Sequence, residues 1–217
     1  DINFLNSLYQ EKMTAFYLSV EKGNLDIIKL LLKSDKLDVN IINIAKNEYY
    51  ELEEKTAFCR AVEQNFNDIV KLLLTNDKLD PNICLIYNDE NIERQYTPLC
   101  IAILNENIEM VKVLMQCNSI DINQFLIDNH KKDECYMTKR EQTALFMAVK
   151  IGNLDIIKYL LANDKLDVNI VNKYFDIRKF ENACIYEYTA FYCAVTSLNI
   201  EIIKLFLAND KTDINIL

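Results

Sequence analysis

The sequence predicts a mainly α-helical repeat protein in which a pair of helices recurs five times along 217 residues. Residues Gly152 to Asn169 (GNLDIIKYLLANDKLDVN) almost repeat Gly23 to Asn40 (GNLDIIKLLLKSDKLDVN). A threonine opens a short apolar segment five times, and only two glycines and two prolines interrupt the chain. Such internal repetition indicates a solenoid, in which each unit buries its apolar face against its neighbours.

The first predicted helix of each unit follows a threonine. The five segments are TAFYLSV from Thr14, TAFCRAV from Thr56, TPLCIAI from Thr97, TALFMAV from Thr143 and TAFYCAV from Thr189. Their apolar residues recur at the three-to-four spacing of a helix. We expect each threonine to cap its helix, and Pro98 suits a first helical position because the N–H that it lacks would have no partner there.

The second predicted helix follows after a short turn. Its five copies are DIIKLLL from Asp26, DIVKLLL from Asp68, EMVKVLM from Glu109, DIIKYLL from Asp155 and EIIKLFL from Glu201. The leading acidic residue suits the positive end of the helix dipole. Near the end of each copy an acidic or amide residue is predicted to take a left-handed cap conformation in place of glycine, namely Asp35, Asn76, Asn118, Asn163 and Asn209.

An Asp-x-Asn signature closes every unit. Its copies are Asp38 and Asn40, Asp80 and Asn82, Asp121 and Asn123, Asp167 and Asn169, and Asp213 and Asn215, with Asp1 and Asn3 before them. Short polar side chains of this kind bond to nearby backbone, so the signature predicts a bend out of the helical layer.

These residues resemble the ankyrin repeat family, whose pattern runs T-P-L-H-x-A, then G-x-x-x-I-V-x-x-L-L, then D-x-N. The resemblance implies a mainly α solenoid of antiparallel helix pairs with extended β-hairpin fingers. It also implies a non-enzymatic protein-binding scaffold. We expect one solenoid over 1–217, part of a longer chain, with units of about 1–37, 38–79, 80–120, 121–166 and 167–212, and 213–217 opening a further unit.

The units depart from the family pattern in composition and length. The family's histidine is replaced by Tyr17, Cys59, Cys100, Phe146 and Tyr192. The five threonines are 42, 41, 46 and 46 residues apart, so every spacing exceeds the usual period of about 33. The extra length lies between each Asn and the next Thr, where the segments hold 10, 15, 14, 19 and 19 residues in chain order. The fingers implied by the resemblance are therefore long and lengthen towards the C-terminus.

The fingers are one candidate protein-binding surface. Insertions in a repeat array map to one face, often the binding face, and tyrosine is enriched at interfaces. The candidate contacts are Tyr49, Tyr50, Tyr87, Tyr136, Tyr174 and Tyr186. The alternative is that these tyrosines pair across strands and stack finger on finger. Alternation over 184–188 favours a strand with two distinct faces.

The concave face that the resemblance implies for the first helices is the other candidate surface. The position after the missing histidine varies freely between nearly constant neighbours, as Leu18, Arg60, Ile101, Met147 and Cys193. Variation at one helical position is typical of a recognition surface, but the fingers of the same chain could also cover these residues.

A structural role is the alternative to partner binding. The chain opens with DINFL and closes with DINIL, and neither end shows a polar capping helix. Uncapped solenoid ends can stack head to tail into an open filament. This hypothesis predicts self-association without a second protein.

Composition excludes several other classes of function. A net charge of −9 opposes binding to nucleic-acid phosphates. Seven cysteines without a CxxC pair favour reduced, buried thiols in the cytoplasm, and no apolar run is long enough to insert into a membrane. His130 and Cys135 are too few for a zinc site. We expect no catalytic residues and no cofactor.

Overall fold

In the described part of the chain, ten helices in five pairs form one layer. The computed structural model describes residues 12–46, 52–88, 92–133, 136–178 and 184–216. The helices are α1 Ala15–Glu21, α2 Leu25–Leu31, α3 Ala57–Glu63, α4 Asn67–Leu73, α5 Pro98–Leu104, α6 Ile108–Met115, α7 Ala144–Ile151, α8 Leu154–Leu161, α9 Ala190–Thr196 and α10 Ile200–Leu207. Each odd-numbered helix packs on the next odd-numbered one, and α4, α6, α8 and α10 pack in series, so the pairs stack in sequence order.

The predicted helix starts are confirmed. The hydroxyl of each capping threonine accepts a hydrogen bond from the backbone N–H three residues later, at 3.1 to 3.3 Å. Pro98 stands in the first turn of α5. The predicted acidic residues all lie in the first turn of the second helices, namely Asp26, Asp68, Glu109, Asp155 and Glu201.

The predicted left-handed caps at Asp35, Asn76, Asn118, Asn163 and Asn209 are wrong. Positive φ angles occur instead in the turn between the two helices of each pair, at Gly23, Asn65, Glu106, Gly152 and Leu198. The side chain of Asn76 accepts a hydrogen bond from the N–H of Lys78 at 2.9 Å, and Asn163 and Asn209 do the same two residues on. These amides thus stabilise ordinary Asx turns, which require no left-handed backbone.

The fingers form the second layer. Their strands are β1 Asn43–Lys46, β2 Leu52–Lys55, β3 Leu85–Asn88, β4 Ile92–Tyr96, β5 Leu126–Asp133, β6 Tyr136–Gln142, β7 Asn172–Arg178 and β8 Cys184–Tyr188. Each finger is an antiparallel hairpin, and the two C-terminal hairpins have longer first strands than the two N-terminal ones. The hairpins implied by the resemblance are therefore present.

The prediction of a mainly α fold is not confirmed, because eight antiparallel strands accompany the described helices. The fingers also do not project separately. β2 pairs with β3, β4 with β5 and β6 with β7, so all eight strands join in sequence order into one antiparallel sheet. The outer edge of a hairpin carries unpaired N–H and C=O groups, and pairing with the neighbouring finger satisfies them. The fold thus combines a helical layer with a continuous sheet.

The asparagines of the Asp-x-Asn signature join neighbouring units. The Nδ2 of Asn82 donates to the carbonyl of Ser119 at 2.7 Å, and its Oδ1 accepts from the N–H of Asp121 at 2.8 Å. The same two bonds recur at Asn40, Asn123 and Asn169. We call this series the asparagine ladder. It sets the distance between successive units on the side where the chain leaves the helical layer.

Candidate functional site

One face of the sheet carries a continuous line of polar and aromatic side chains across six strands. The residues directly opposite each other in neighbouring strands are, in order, Tyr87, Arg94, Asp128, Arg140, Tyr174 and Tyr186. Side chains of directly opposed residues project on the same face of a sheet. We call these six residues the cross-strand row.

Asp128 is the centre of the cross-strand row. Its Oδ1 accepts a hydrogen bond from Nε of Arg94 at 3.2 Å, and its Oδ2 accepts one from Nη1 of Arg140 at 2.9 Å. Nε2 of His130 lies 2.8 Å from Oδ1. Burial opposes ionisation of this carboxyl, but His130 and the two guanidinium groups outweigh it, and the pKa of Asp128 is lowered. One carboxylate thus holds two arginines in place.

Tyrosines flank the two arginines. The guanidinium carbon of Arg94 lies 6.0 Å from the ring centre of Tyr87, and that of Arg140 lies 5.5 Å from the ring centre of Tyr174. Both distances suit a cation–π interaction. The rings of Tyr174 and Tyr186 are 5.7 Å apart, so the row continues to the last strand as an aromatic pair.

The face that bears the row is turned towards the first helices. The ring of Tyr188, two residues from Tyr186, lies 5.3 Å from that of Phe146 on α7. Asn172, two residues before Tyr174, accepts a hydrogen bond from the N–H of Thr143 at 2.7 Å. The strand residues nearest the helices therefore seal the junction between the two layers, and the cross-strand row lies one step further out.

A second charged cluster joins the first finger to the helices. Lys55 is fully buried and forms ion pairs with Glu53 and with Glu63, whose nearest oxygen lies 2.9 Å away. Arg60 donates to Glu63 at 2.8 Å and to Glu21 at 3.2 Å. Because Lys55 and Arg60 share Glu63, the charges largely compensate within the chain. Arg60 therefore already forms two ion pairs within the chain, and a small part of its side chain remains exposed.

The predicted helix residues fall into two groups. Ile101 and Met147 are buried, with 7% and 8% of their surfaces exposed, so they are part of the core of the free chain. Leu18, Arg60 and Cys193 are half-buried and remain accessible. The physical reason is that α5 packs between α3 and α7, and α7 between α5 and α9, whereas α1 and α9 each pack against one other odd-numbered helix in the described part of the chain.

The predicted finger tyrosines also differ in exposure. Tyr186 is 51% exposed, Tyr136 and Tyr174 are half-buried, and Tyr87 is almost fully buried. Tyr49 and Tyr50 lie outside the described residues. The structure thus brings Tyr87, Tyr174 and Tyr186 together in the cross-strand row, and Tyr136 lies on the same face of the sheet, nearer the finger tips.

Sequence analysis did not identify the arginines and the aspartate of the row. Arg94, Asp128 and Arg140 come from three strands of two different fingers, and no spacing in the chain brings them together. It also missed the buried asparagines Asn43 and Asn172, which accept hydrogen bonds from Thr14 and Thr143. For these two a signal exists, since each stands three residues after the Asn of an Asp-x-Asn signature.

Other site types are not assembled among the described residues. No group of three His, Cys, Asp or Glu side chains is arranged there to hold a metal ion. Cys59, Cys84, Cys100, Cys117, Cys184 and Cys193 are unpaired thiols, of which only Cys59 and Cys100 are buried, and Cys135 lies outside the described ranges. None of the helices described above is long and apolar enough to cross a membrane.

Comparison with known families agrees with this architecture. The family model described as ankyrin repeats (3 copies) matches residues 1–84, 43–125 and 118–217, which together span the chain. A search of curated proteins finds no matching relative. The helix pairs, the hairpin fingers, the Asp-x-Asn ladder and this match establish that the chain belongs to the ankyrin repeat family.

Proposed function

We propose that this chain binds a protein partner on the face of the sheet that carries the cross-strand row. Ankyrin repeats generally mediate protein–protein interactions and are typically not enzymes. The predicted residues Leu18, Arg60 and Cys193 on the first helices are half-buried and accessible, and they are secondary candidates for contact with the same partner.

The proposal rests on the observation that several side chains of the cross-strand row are partly exposed and are already held in fixed conformations. Tyr186 is about half exposed, and the side chains of Arg94 and Arg140 are 36% and 35% exposed. Their contacts with Asp128 and the tyrosine rings already restrict their rotamers. Tyrosine and arginine dominate the energetics of many interfaces, and side chains ordered before binding lose less entropy on association.

The first helices offer less accessible surface for partner binding than the sequence predicts. Ile101 and Met147 are buried in the core of the free chain, so a partner could not reach them without opening the packing around them. We therefore assign the binding energy mainly to Tyr186 and to the partly exposed Arg94 and Arg140 of the row. Tyr136 and the half-buried helix residues would form the rim.

A pair of substitutions on β8 tests the proposal. Tyr186 and Ile185 are neighbours of similar exposure, 51% and 56%, on opposite faces of one strand. The immobilised chain captures its partner from native cell extract, and the affinity of the identified partner is then measured for Tyr186→Ser and Ile185→Ser. We expect Tyr186→Ser to weaken binding by at least about tenfold, the loss of one interface anchor, and Ile185→Ser to leave it unchanged.

The control is the melting temperature, which both serine variants are expected to preserve. Equal loss of affinity in the two variants would show that the row-bearing face is not the recognised face. Unchanged affinity in both, and in Tyr174→Ser, would reject the row as the binding surface.

Head-to-tail stacking into filaments is less well supported. At the N-terminal end, the backbone groups that correspond to the partners of the ladder asparagines are the carbonyl of Lys36 and the N–H of Asp38. Both residues already take part in interactions within the chain. We therefore do not propose self-assembly as the function. The cytoplasmic location remains a prediction from the sequence.

A further inference from the structure

The two arginines of the cross-strand row have unused hydrogen-bond donors. A guanidinium group carries five N–H donors. Within the described residues Arg94 donates only through Nε and Arg140 only through Nη1, in both cases to Asp128. The two side chains are 36% and 35% exposed, and in the described part of the chain none of their remaining nitrogens is buried without a partner, unlike Nε of Arg60. Both arginines can therefore bind a further acceptor.

The charges at the centre of the row do not balance. With His130 neutral, two guanidinium groups face the single carboxylate of Asp128. The other carboxylates on this face of the described sheet belong to Glu53 and Asp176. Glu53 pairs with the buried Lys55, and Asp176 already takes part in an interaction within the chain. The row thus keeps an uncompensated positive charge, although the chain as a whole has a net charge of −9.

An exposed aromatic surface lies beside this charge. The ring of Tyr186 is 5.7 Å from that of Tyr174, which is 5.5 Å from the guanidinium carbon of Arg140. Tyr186 on β8 and Arg140 on β6 are two strands apart, a distance of about 10 Å. An extended segment rises about 3.3 Å per residue, so it covers this distance in about three residues.

We infer, on the basis of the proposed function above, that the partner places an aspartate or glutamate carboxylate on Arg94 and Arg140. About three residues away, the same segment places an apolar or aromatic side chain on Tyr186. A carboxylate accepts paired N–H bonds from a guanidinium group, and such bonds are among the strongest hydrogen bonds in proteins. The class of partner is therefore a protein segment that combines one acidic and one apolar anchor.

The charge of the acceptor favours a carboxylate over a phosphoryl group. One carboxylate matches the uncompensated positive charge of the row. A phosphorylated residue carries a charge of about −1.5 to −2, which would leave an excess of negative charge next to Asp128. Like charges at this distance repel each other.

A peptide selection on the full chain tests the inference. The immobilised chain selects binders from a random-peptide library, and the peptides that Tyr186→Ser weakens are kept. We expect the kept peptides to share an aspartate or glutamate and, about three residues away, an apolar or aromatic residue. The tightest of them then serves as the ligand in affinity measurements.

Substitutions on both sides of the contact measure its specificity. Arg140→Gln should weaken the peptide by at least about tenfold, and so should replacing the acidic residue of the peptide by its amide. Both changes together should weaken it little more than either alone, since they remove the same contact. Lys139→Gln is the matched control and should leave the affinity unchanged. Lys139 neighbours Arg140 on the opposite face of β6, and its side chain is 34% exposed.

The amide form of the peptide is measured on the native chain, so this comparison does not depend on the folding of any variant. Peptides that need Tyr186 but bind equally well with the amide would overturn the inference and leave the proposed function intact. Phosphoserine at the acidic position that binds at least about tenfold more tightly than the carboxylate would also overturn it. If no selected peptide depends on Tyr186 or on Arg140, the proposed function fails as well.

Discussion

Arg140 donates a hydrogen bond from Nη1 to Oδ2 of Asp128 at 2.9 Å, directly across the β5–β6 hairpin. The same carboxylate accepts from Arg94 in the preceding finger. The asparagine variant Asp128→Asn keeps the shape and removes the charge. We expect it to lower the free energy of unfolding by about 1–2 kcal/mol, since charge-assisted bonds are stronger than neutral ones. Chemical denaturation measures the loss, and Glu187→Gln, at an exposed ion pair, should cost less than about 0.5 kcal/mol.

The pH dependence of stability follows from the lowered pKa of Asp128. A carboxyl whose pKa is lower in the folded chain binds protons more readily when unfolded, so its contribution is fully present above the ordinary pKa of 3.8. That contribution is lost as the pH falls through the lower folded-state pKa. We expect the difference in stability between the native chain and Asp128→Asn to shrink as the pH falls below 3.8. A difference that stays constant through strong acid would contradict this assignment.

Met147 and Cys193 occupy the same helical position in consecutive units and differ in burial. Met147→Asp places a carboxylate in the core, and we expect it to destabilise the chain by about 3–5 kcal/mol. Cys193→Asp, at a half-buried site on the last unit, should cost about 1 kcal/mol or less. Thermal unfolding followed by circular dichroism compares them. Equal melting temperatures would mean that Met147 is accessible, as the recognition-surface hypothesis requires.

Asn82 and Asn215 allow a direct measurement of one step of the asparagine ladder. Asn82→Ala removes two hydrogen bonds between neighbouring units, and we expect a loss of about 1–3 kcal/mol, at about 0.5–1.5 kcal/mol each. Among the described residues the side chain of Asn215 contacts only Asp213 of its own signature. Asn215→Ala therefore removes no described contact between units and should be nearly neutral. Urea denaturation of both variants gives the difference. A similar effect at the two positions would show that the asparagine acts through its own turn rather than across units.

The thiols are expected to react in an order set by burial. Burial raises the pKa of Cys59 and of Cys100 to about 11, so at pH 8 only about one thiol in a thousand is ionised at either site. Cys184 on β8 is exposed. Iodoacetamide at pH 8 followed by peptide mass spectrometry should label Cys184 first and leave Cys59 and Cys100 unmodified until the chain is unfolded. Early labelling of either buried thiol would mean that the helix layer opens locally.

Much of the helical layer could be predicted from the sequence because its determinants are local. A threonine such as Thr56 and the amide that it caps are three residues apart, and the acidic first turn depends only on its own helix. The prediction of left-handed caps was wrong because an asparagine near a helix end can adopt either of two local conformations. Asn76 could have taken a left-handed cap, and instead it caps an Asx turn while Asn65 adopts the positive φ angle in the preceding turn.

The candidate site could be predicted only in part. The tyrosine content of the fingers indicated an interacting surface, and the alternative of finger stacking was stated from the same residues. The hydrogen bond between Arg94 and Asp128 could not be predicted, because 34 residues separate them and only the pairing of β4 with β5 brings them together. The burial of Ile101 also depends on tertiary packing, since α5 lies between α3 and α7.

The family, the number of helix pairs and the positions of the long fingers could be predicted because each is encoded in contiguous and repeated residues. The merging of the fingers into one sheet, the members of the cross-strand row and the accessibility of the first-helix residues depend on contacts between distant segments. The register between strands of different fingers is the clearest example. A shift of one residue between β6 and β7 would turn Tyr174 to the opposite face, and nothing local to either strand specifies that alignment.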